Sequence, residues 1–203
     1  MHGLLYLLRH GETEWSRSGQ HTGRTDIPLT PNGERRAADA GRMLAGLRED
    51  RPLALVISSP RDRAVRTAEL AGLTVTETTE DVAEWDYGEY EGLSTPKIRE
   101  TVPGWTVWTH PSPGGETAAQ VGERASGVVA RVREALADGD VVMVGHGHFS
   151  RVLVATWLGL PPTSGVRFAL DAAAISVLGD ERGVPQIRRL NVPPLPERGF
   201  HHD

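Results

Sequence analysis

A chain of 203 residues with 27 acidic against 22 basic side chains, a formal net charge of −5, has no broad cationic surface for nucleic acid or anionic lipid, so any anion it recognises must be met by a local cluster. It contains no cysteine, which excludes disulfides, thiolate catalysis and sulfur-ligated zinc. No apolar run is long enough to span a bilayer and the first residues lack the profile of a secretion signal, so the expectation is a soluble cytoplasmic protein with one domain over residues 1–203. Lys97 is the one lysine, so almost every cation is a planar guanidinium, a group suited to bidentate contact with phosphate or carboxylate.

In chain order, Leu4 to Leu8 is an apolar run that reads as a buried strand and stops on Arg9-His10-Gly11. Loops at the carboxyl ends of parallel strands are where open α/β sheets bind ligands, so these residues are read as site before scaffold. Gly11 is expected to turn the backbone sharply and to keep the space beside His10 clear of a Cβ. Thr30-Pro31 caps and opens a helix to about Leu47. Leu53 to Ile57 is a second strand, and Ser58-Ser59-Pro60 starts a helix through about Ala71 that carries Arg63 in its first turns. Thr74 to Thr76 is a short third strand, and Glu84 precedes the glycine-punctuated loop 86–92.

Residues 101–116, rich in proline, glycine and tryptophan, form an ordered excursion over the sheet. Thr117 with Gln120 is a capping box for the longest helix, with Val121, Ala125, Val128, Val132 and Leu136 on one face. Val141 to Val144 is a strand ending in Gly145-His146-Gly147-His148, followed by a helix to about Leu158 and by late strands from Ala173 to Leu178 and Val184 to Arg189. The tail, ending His201-His202-Asp203, is expected to be loosely held, and its two histidines lack a ligand constellation for a metal. Strands alternating with helices predict a three-layer α/β/α sandwich with a mostly parallel central sheet.

Each candidate taken alone has a plain structural alternative: Arg63 as a surface helix arginine, His146 as a strand-end histidine, Glu84 as a solvated acid. Together they place two arginines, an imidazolium and helix amino ends along one sheet edge, an anion-attracting hollow.

The chain resembles the histidine phosphatase superfamily, also called phosphoglycerate mutase-like. The resemblance runs through Leu8 to Thr13, Asp26 to Thr30 with Gly33, Ser58-Ser59-Pro60 with Arg63-Ala64 and Thr67-Ala68, Glu84 with Tyr87-Gly88 and Glu91-Gly92, Gly115 to Thr117, and Val144 to Gly147, in family order. It implies that His10 is a nucleophile forming a covalent phosphohistidine, that Arg9, Arg63 and His146 hold the phosphoryl oxygens, and that Glu84 shuttles the proton. It further implies substrate contacts from Thr22, Gly23 and Gly147. Many members have asparagine beside the phosphate pocket at position 16; here Ser16 is expected to bind substrate in its place, with one hydrogen bond to donate but a shorter reach. His148 is expected to stand behind the pocket rather than in it.

The family contains mutases and phosphatases. The loop 86–92 and the short excursion resemble the phosphatase branch, in particular acid-phosphatase and sugar-bisphosphatase members. The expectation is a metal-independent, cofactor-free phosphoric monoester hydrolase acting on small phosphorylated substrates such as sugar phosphates. Trp85, Tyr87, Trp105, Trp108 and His110 are expected around the leaving group. A cofactor-dependent phosphoglycerate mutase and a non-catalytic phospho-ligand or protein-binding module are the alternatives. A homodimer is compatible with the resemblance, and the sequence does not set the oligomeric state.

Overall fold

The computed structural model describes residues 3–49 and 51–194, so the expectations for the tail and for His201 and His202 lie outside the described residues. Six strands form one sheet: β1 (Leu5–Arg9), β2 (Leu53–Ser58), β3 (Glu77–Thr78), β4 (Asp140–Gly145), β5 (Ile175–Glu181) and β6 (Val184–Val192), in the order β3-β2-β4-β1-β5-β6. The pairs β1·β4, β4·β2 and β2·β3 are parallel, and β5 is antiparallel to both β1 and β6. Only β5 therefore runs against the rest, which agrees with the mostly parallel α/β sheet read from the sequence.

Alternation along the strands divides the core between two faces. Leu5, Leu7, Val141 and Met143 face α5 (Ala118–Ala135), α6 (Gly147–Trp157) and the tryptophans of the excursion. Tyr6, Leu8, Val142 and Val144 face α2 (Pro31–Arg48) and α3 (Asp62–Leu70). The capping box of α5 is present, with Thr117 accepting from the Gln120 amide, and the five expected core positions of its apolar face are buried. Two short helices were not expected from periodicity, α1 (Glu14–Ser18) and α4 (Thr95–Arg99), because five residues hold too few turns to show one.

Two boundaries differ from expectation for identifiable reasons. The third strand begins at Glu77 rather than Thr74, since the Thr76 hydroxyl accepts the Val56 N–H at 3.0 Å and takes up the ladder position that a backbone carbonyl would fill. Helix α3 begins at Asp62 with Arg61 as its uncapped N-cap, not at the Ser58-Ser59 pair. The Ser59 hydroxyl is turned to His146 instead, and the Asp62 N–H is met by Asp26 Oδ1 at 2.9 Å from a distant loop.

Register brings the strand ends level. Arg9 pairs with Gly145 and Ser58 with Val144, so His10, Ser59 and His146 leave three neighbouring parallel strands at the same edge. The loop after β1 is wedged against the start of α2 by two glycines: a Cβ on Gly11 would lie 2.5 Å from the Gly33 carbonyl oxygen, and a Cβ on Gly33 would run into the Glu12 backbone. Gly11 has no positive φ, so its glycine serves this close approach and not the sharp turn expected of it.

That contact generates a prediction within one helix. Gly33→Ala should destabilise the protein by roughly 1–3 kcal/mol through overpacking against backbone that cannot retreat. Gly46→Ala, in the same helix with nothing within 4 Å of its Cβ position, should stabilise by about 0.5–1 kcal/mol. Urea unfolding of the two variants should give shifts of opposite sign.

Candidate active site

The structure brings Arg9, His10, Arg63, Glu84 and His146 into one buried cluster. The His10 and His146 rings lie edge to face with centroids 5.2 Å apart, and a Cβ on Gly147 would sit 3.3 Å from the Arg9 Cζ, so glycine there lets the guanidinium lie against the start of α6. Arg63 and His146 have no solvent exposure, and His10 is buried.

Arg63 is held by three backbone carbonyls and Arg9 by one, and each keeps a buried Nε unused. Arg63 Nη1 donates to the Thr25 carbonyl at 2.8 Å, and Nη2 donates to those of Thr22 and Gly23, both at 2.9 Å. Arg9 Nη1 donates to the Leu170 carbonyl at 2.5 Å. The Nε atoms of both arginines and Nδ1 of His146 are buried without a hydrogen-bond partner. Buried polar groups are almost always paired, so several such atoms in one cluster mark a place for a ligand rich in acceptors.

The protonation states follow from geometry and burial. His10 Nδ1 lies 2.7 Å from the Gly11 carbonyl oxygen, which can only accept, so Nδ1 carries the hydrogen and Nε2 carries the lone pair. Burial, then Arg9 and Arg63, push the His10 pKa well below its usual value, so the ring is neutral. The same causes, burial first and then Arg63, do this to His146. The expected imidazolium at 146 is therefore corrected: in this buried, cationic setting the ring is neutral.

Glu84 is fixed at the amino end of α6. Its Oε1 accepts from the amides of Trp85 at 2.9 Å and Phe149 at 2.8 Å, and its Oε2 from the amide of His148 at 3.0 Å. The segment that carries it is strapped by Arg124, which donates to the carbonyls of Asp81 and Ala83 and pairs with Glu116. Glu116 in turn accepts the Asp86 amide.

The remaining expected residues are placed as follows. The Ser16 hydroxyl is used inside the capping box of α1, accepting from the Thr13 amide and donating to the Thr13 carbonyl, so it does not join the cluster. Thr22 and Gly23 meet Arg63 through their carbonyls. The Thr22 hydroxyl donates to Gln20, and the Gly23 amide to the Glu91 carboxylate at 2.9 Å. Trp85 and Trp105 are core residues whose indole N–H groups donate to the Glu116 and Pro111 carbonyls. Trp108 and Tyr87 pack around His148, whereas His110 bonds only the neighbouring Thr109 hydroxyl among the described residues.

His148 proves more central than expected. Tyr87 Oη lies 2.6 Å from its Nδ1, and the rings of His21, Trp85 and Trp108 surround it. Burial holds Tyr87 well above and His148 well below their usual pKa values, so the phenol donates and the imidazole accepts. Sequence reasoning missed Glu91 and Ser59 as organisers; Glu91 stood in a quoted motif, but its partners Gly23 and Thr25 are more than 60 residues away.

Four histidines held in neutral form make a prediction about acid. His10, His146 and His148 are held well below the usual histidine pKa, and His21 is lowered to about 4, chiefly by burial. Below pH ~6.5 the unfolded chain binds protons that the folded chain refuses, so stability present at pH 7 is lost as pH falls. The slope approaches about 1.4 kcal/mol per pH unit for each histidine until its folded pKa is reached. Urea unfolding at pH 7 and pH 5 should show the loss, and a flat profile would contradict the neutral assignment.

The profile of the histidine phosphatase superfamily (branch 1) matches residues 5–193. The chain is 51% identical over 193 residues to an acid phosphatase of Mycobacterium tuberculosis, covering 95% of this chain and 94% of that one. It is 35% identical over 182 residues to sedoheptulose 1,7-bisphosphatase of Saccharomyces cerevisiae, covering 76% and 67% of the two chains. A solved structure from Mycobacterium tuberculosis superimposes with a TM-score of 0.91 at 49% identity, over 95% of this chain and 99% of that one. With the fold, the sequence match and the order of the motifs in agreement, the chain belongs to branch 1 of the histidine phosphatase superfamily.

Proposed function

We propose that this phosphatase hydrolyses small phosphate monoesters, sugar phosphates or molecules like them, through a phosphohistidine on His10. The observation that carries the reading is the set of buried, unpartnered nitrogens, Arg9 Nε, Arg63 Nε and His146 Nδ1, gathered beside a neutral His10. Phosphoryl transfer asks chiefly for positioning and for stabilisation of three equatorial oxygens, which two guanidinium groups and an imidazole N–H supply without a metal ion.

In this reading His10 Nε2 attacks phosphorus as the ester bond breaks, and Glu84 gives its proton to the departing alkoxide. Glu84 then takes a proton from water, which attacks the phosphohistidine and releases inorganic phosphate with His10 restored. Oε1 already accepts two amides and Oε2 only one, so Oε2 is the oxygen with room for that proton. Gly147 permits the approach of Arg9, and Thr22 and Gly23 act by holding Arg63.

Four uncharged side chains pack together beyond Glu84, with the Arg151 guanidinium over the Trp108 ring. Tyr87, His148, His21 and Trp108 carry hydrogen-bonding and aromatic groups but no charge at pH 7, which suits an uncharged polyol leaving group. Among the described residues no helix is long and apolar enough to cross a membrane, and a cytoplasmic setting is part of this reading.

The test is release of inorganic phosphate from p-nitrophenyl phosphate and a panel of sugar phosphates, with EDTA present. Wild type should turn over at an undiminished rate, and His10→Ala should lose about a thousandfold or more. Rapid quenching should leave acid-labile phosphate on His10. Conversion of 3-phosphoglycerate to its 2-isomer would indicate a mutase instead, and binding without turnover a non-catalytic module.

A second prediction concerns pH. The acid limb of kcat/KM reports protonation of the free enzyme's nucleophile, and the lowered His10 pKa places that limb well below pH 6.5. Activity toward p-nitrophenyl phosphate should persist at pH 5.5, and an acid limb centred at 6.5 would mean an unperturbed histidine.

A further inference from the structure

Ser59 is fully buried, yet it is not the cap of α3, which begins at Asp62 with Arg61 as its N-cap. Its amide donates to the Val144 carbonyl at 3.1 Å and its carbonyl accepts the Ser58 hydroxyl at 3.0 Å, so the residue is pinned from both sides at the end of β2. Its Oγ accepts the Arg61 amide at 3.3 Å and lies 2.7 Å from His146 Nε2. A serine hydroxyl has one hydrogen to give, and among the described residues His146 Nε2 is the acceptor it meets.

We propose that Ser59 is a positioning residue that fixes the tautomer of His146, leaving the hydrogen on Nδ1 so that this atom meets a phosphoryl oxygen as a donor. Nδ1 is the ring nitrogen that is buried without a partner, as a donor awaiting a ligand would be. Had Nε2 carried the hydrogen, the Ser59 hydroxyl would accept from both it and the Arg61 amide, and its own hydrogen would be left without an acceptor among the described residues. Nδ1 would then present a lone pair to an anion, and two lone pairs repel. The ring stays neutral beside Arg63 and His10, so its charge cannot settle the matter and the hydroxyl does. Both partners lack solvent exposure, so no water competes for Nε2.

This assignment rests on the reading in which Arg9, Arg63 and His146 hold the phosphoryl group. It is tested by long-range proton–nitrogen spectra of the histidine side chains in the 15N-labelled full chain, with His146 assigned from His146→Gln, together with kinetics on p-nitrophenyl phosphate. In wild type, Nδ1 of His146 should be the protonated nitrogen, and added inorganic phosphate should shift Nδ1 more than Nε2. Ser59→Ala should give a mixture of tautomers and lower kcat/KM about tenfold, the size expected for one misdirected hydrogen bond. Ser59→Thr, which keeps the hydroxyl, should restore the tautomer and most of the rate. A rate loss in Ser59→Ala with the His146 nitrogens unchanged would mean packing alone and overturn the proposal. So would an Nε2–H ring in an active wild type, which sinks this assignment but not the phosphatase reading. A wild type that releases phosphate from no ester sinks that reading, and the phosphoryl contact with it.

Discussion

Two guanidinium groups sit beside two imidazoles with little solvent exposure, and much of the surrounding structure exists to make that tolerable. Burying an unpaired cation is costly unless dipoles replace its hydration. Here the dipoles are carbonyls: Thr22, Gly23 and Thr25 around Arg63, and Leu170 against Arg9. The 22–25 loop is oriented for this by Glu91, whose carboxylate accepts the amides of Gly23 and Thr25. Negative charge, peptide dipole and positive charge thus follow in sequence from Glu91 to Arg63. The compensation is partial, which leaves Nε atoms to spare for an incoming anion.

The carboxylate of Glu84 stands at the opposite side of the same cluster, and its support comes from the helix it meets. The amino end of a helix offers unsatisfied amides and partial positive charge, and α6 gives two of its amides to Glu84 while Gly147, in the same turn, lies against Arg9. One junction, β4 into α6, therefore supplies His146, the bed for Arg9 and the anchorage of the acid. The strap from Arg124 and Glu116 ties the Glu84 segment to the long helix α5 as well, so the acid is held from two helices.

How legible this was depended on whether the cause was local. Apolar runs, the caps at Thr30 and Thr117, and the strand-end positions of His10 and His146 are written in a few adjacent residues, and those elements lie where periodicity put them. What was misread depended on partners far along the chain or on an element too short to show a period. Ser16 was weighed as a ligand group and Ser59 as a cap, and each hydroxyl is engaged differently: one closes a five-residue helix too short to show a period, the other turns to a histidine 87 residues away. Thr76 displaced a strand by its side chain. The charge of His146 was misread for a related reason, since a sequence shows the arginines that attract an anion but not the burial that strips a neighbouring imidazole of its proton.

Size does not identify the site. A groove of about 1160 Å³ opens at the far end of the sheet, lined by Tyr6, Arg51, Arg133 and Arg188 among others. Three of its arginines are engaged: Arg51 with the Tyr6 hydroxyl and Asp140, Arg133 with the carbonyl and ring of Trp157, Arg188 with the Asp180 carbonyl. The cluster around His10 differs in kind, because three of its nitrogens, Arg9 Nε, Arg63 Nε and His146 Nδ1, are buried and lack partners. In the groove an anion would have to compete with the bonds that Arg51, Arg133 and Arg188 already make. In the small cluster it would complete bonds that the fold leaves open, and the free energy of that completion is available where charge builds on a phosphoryl group in transfer.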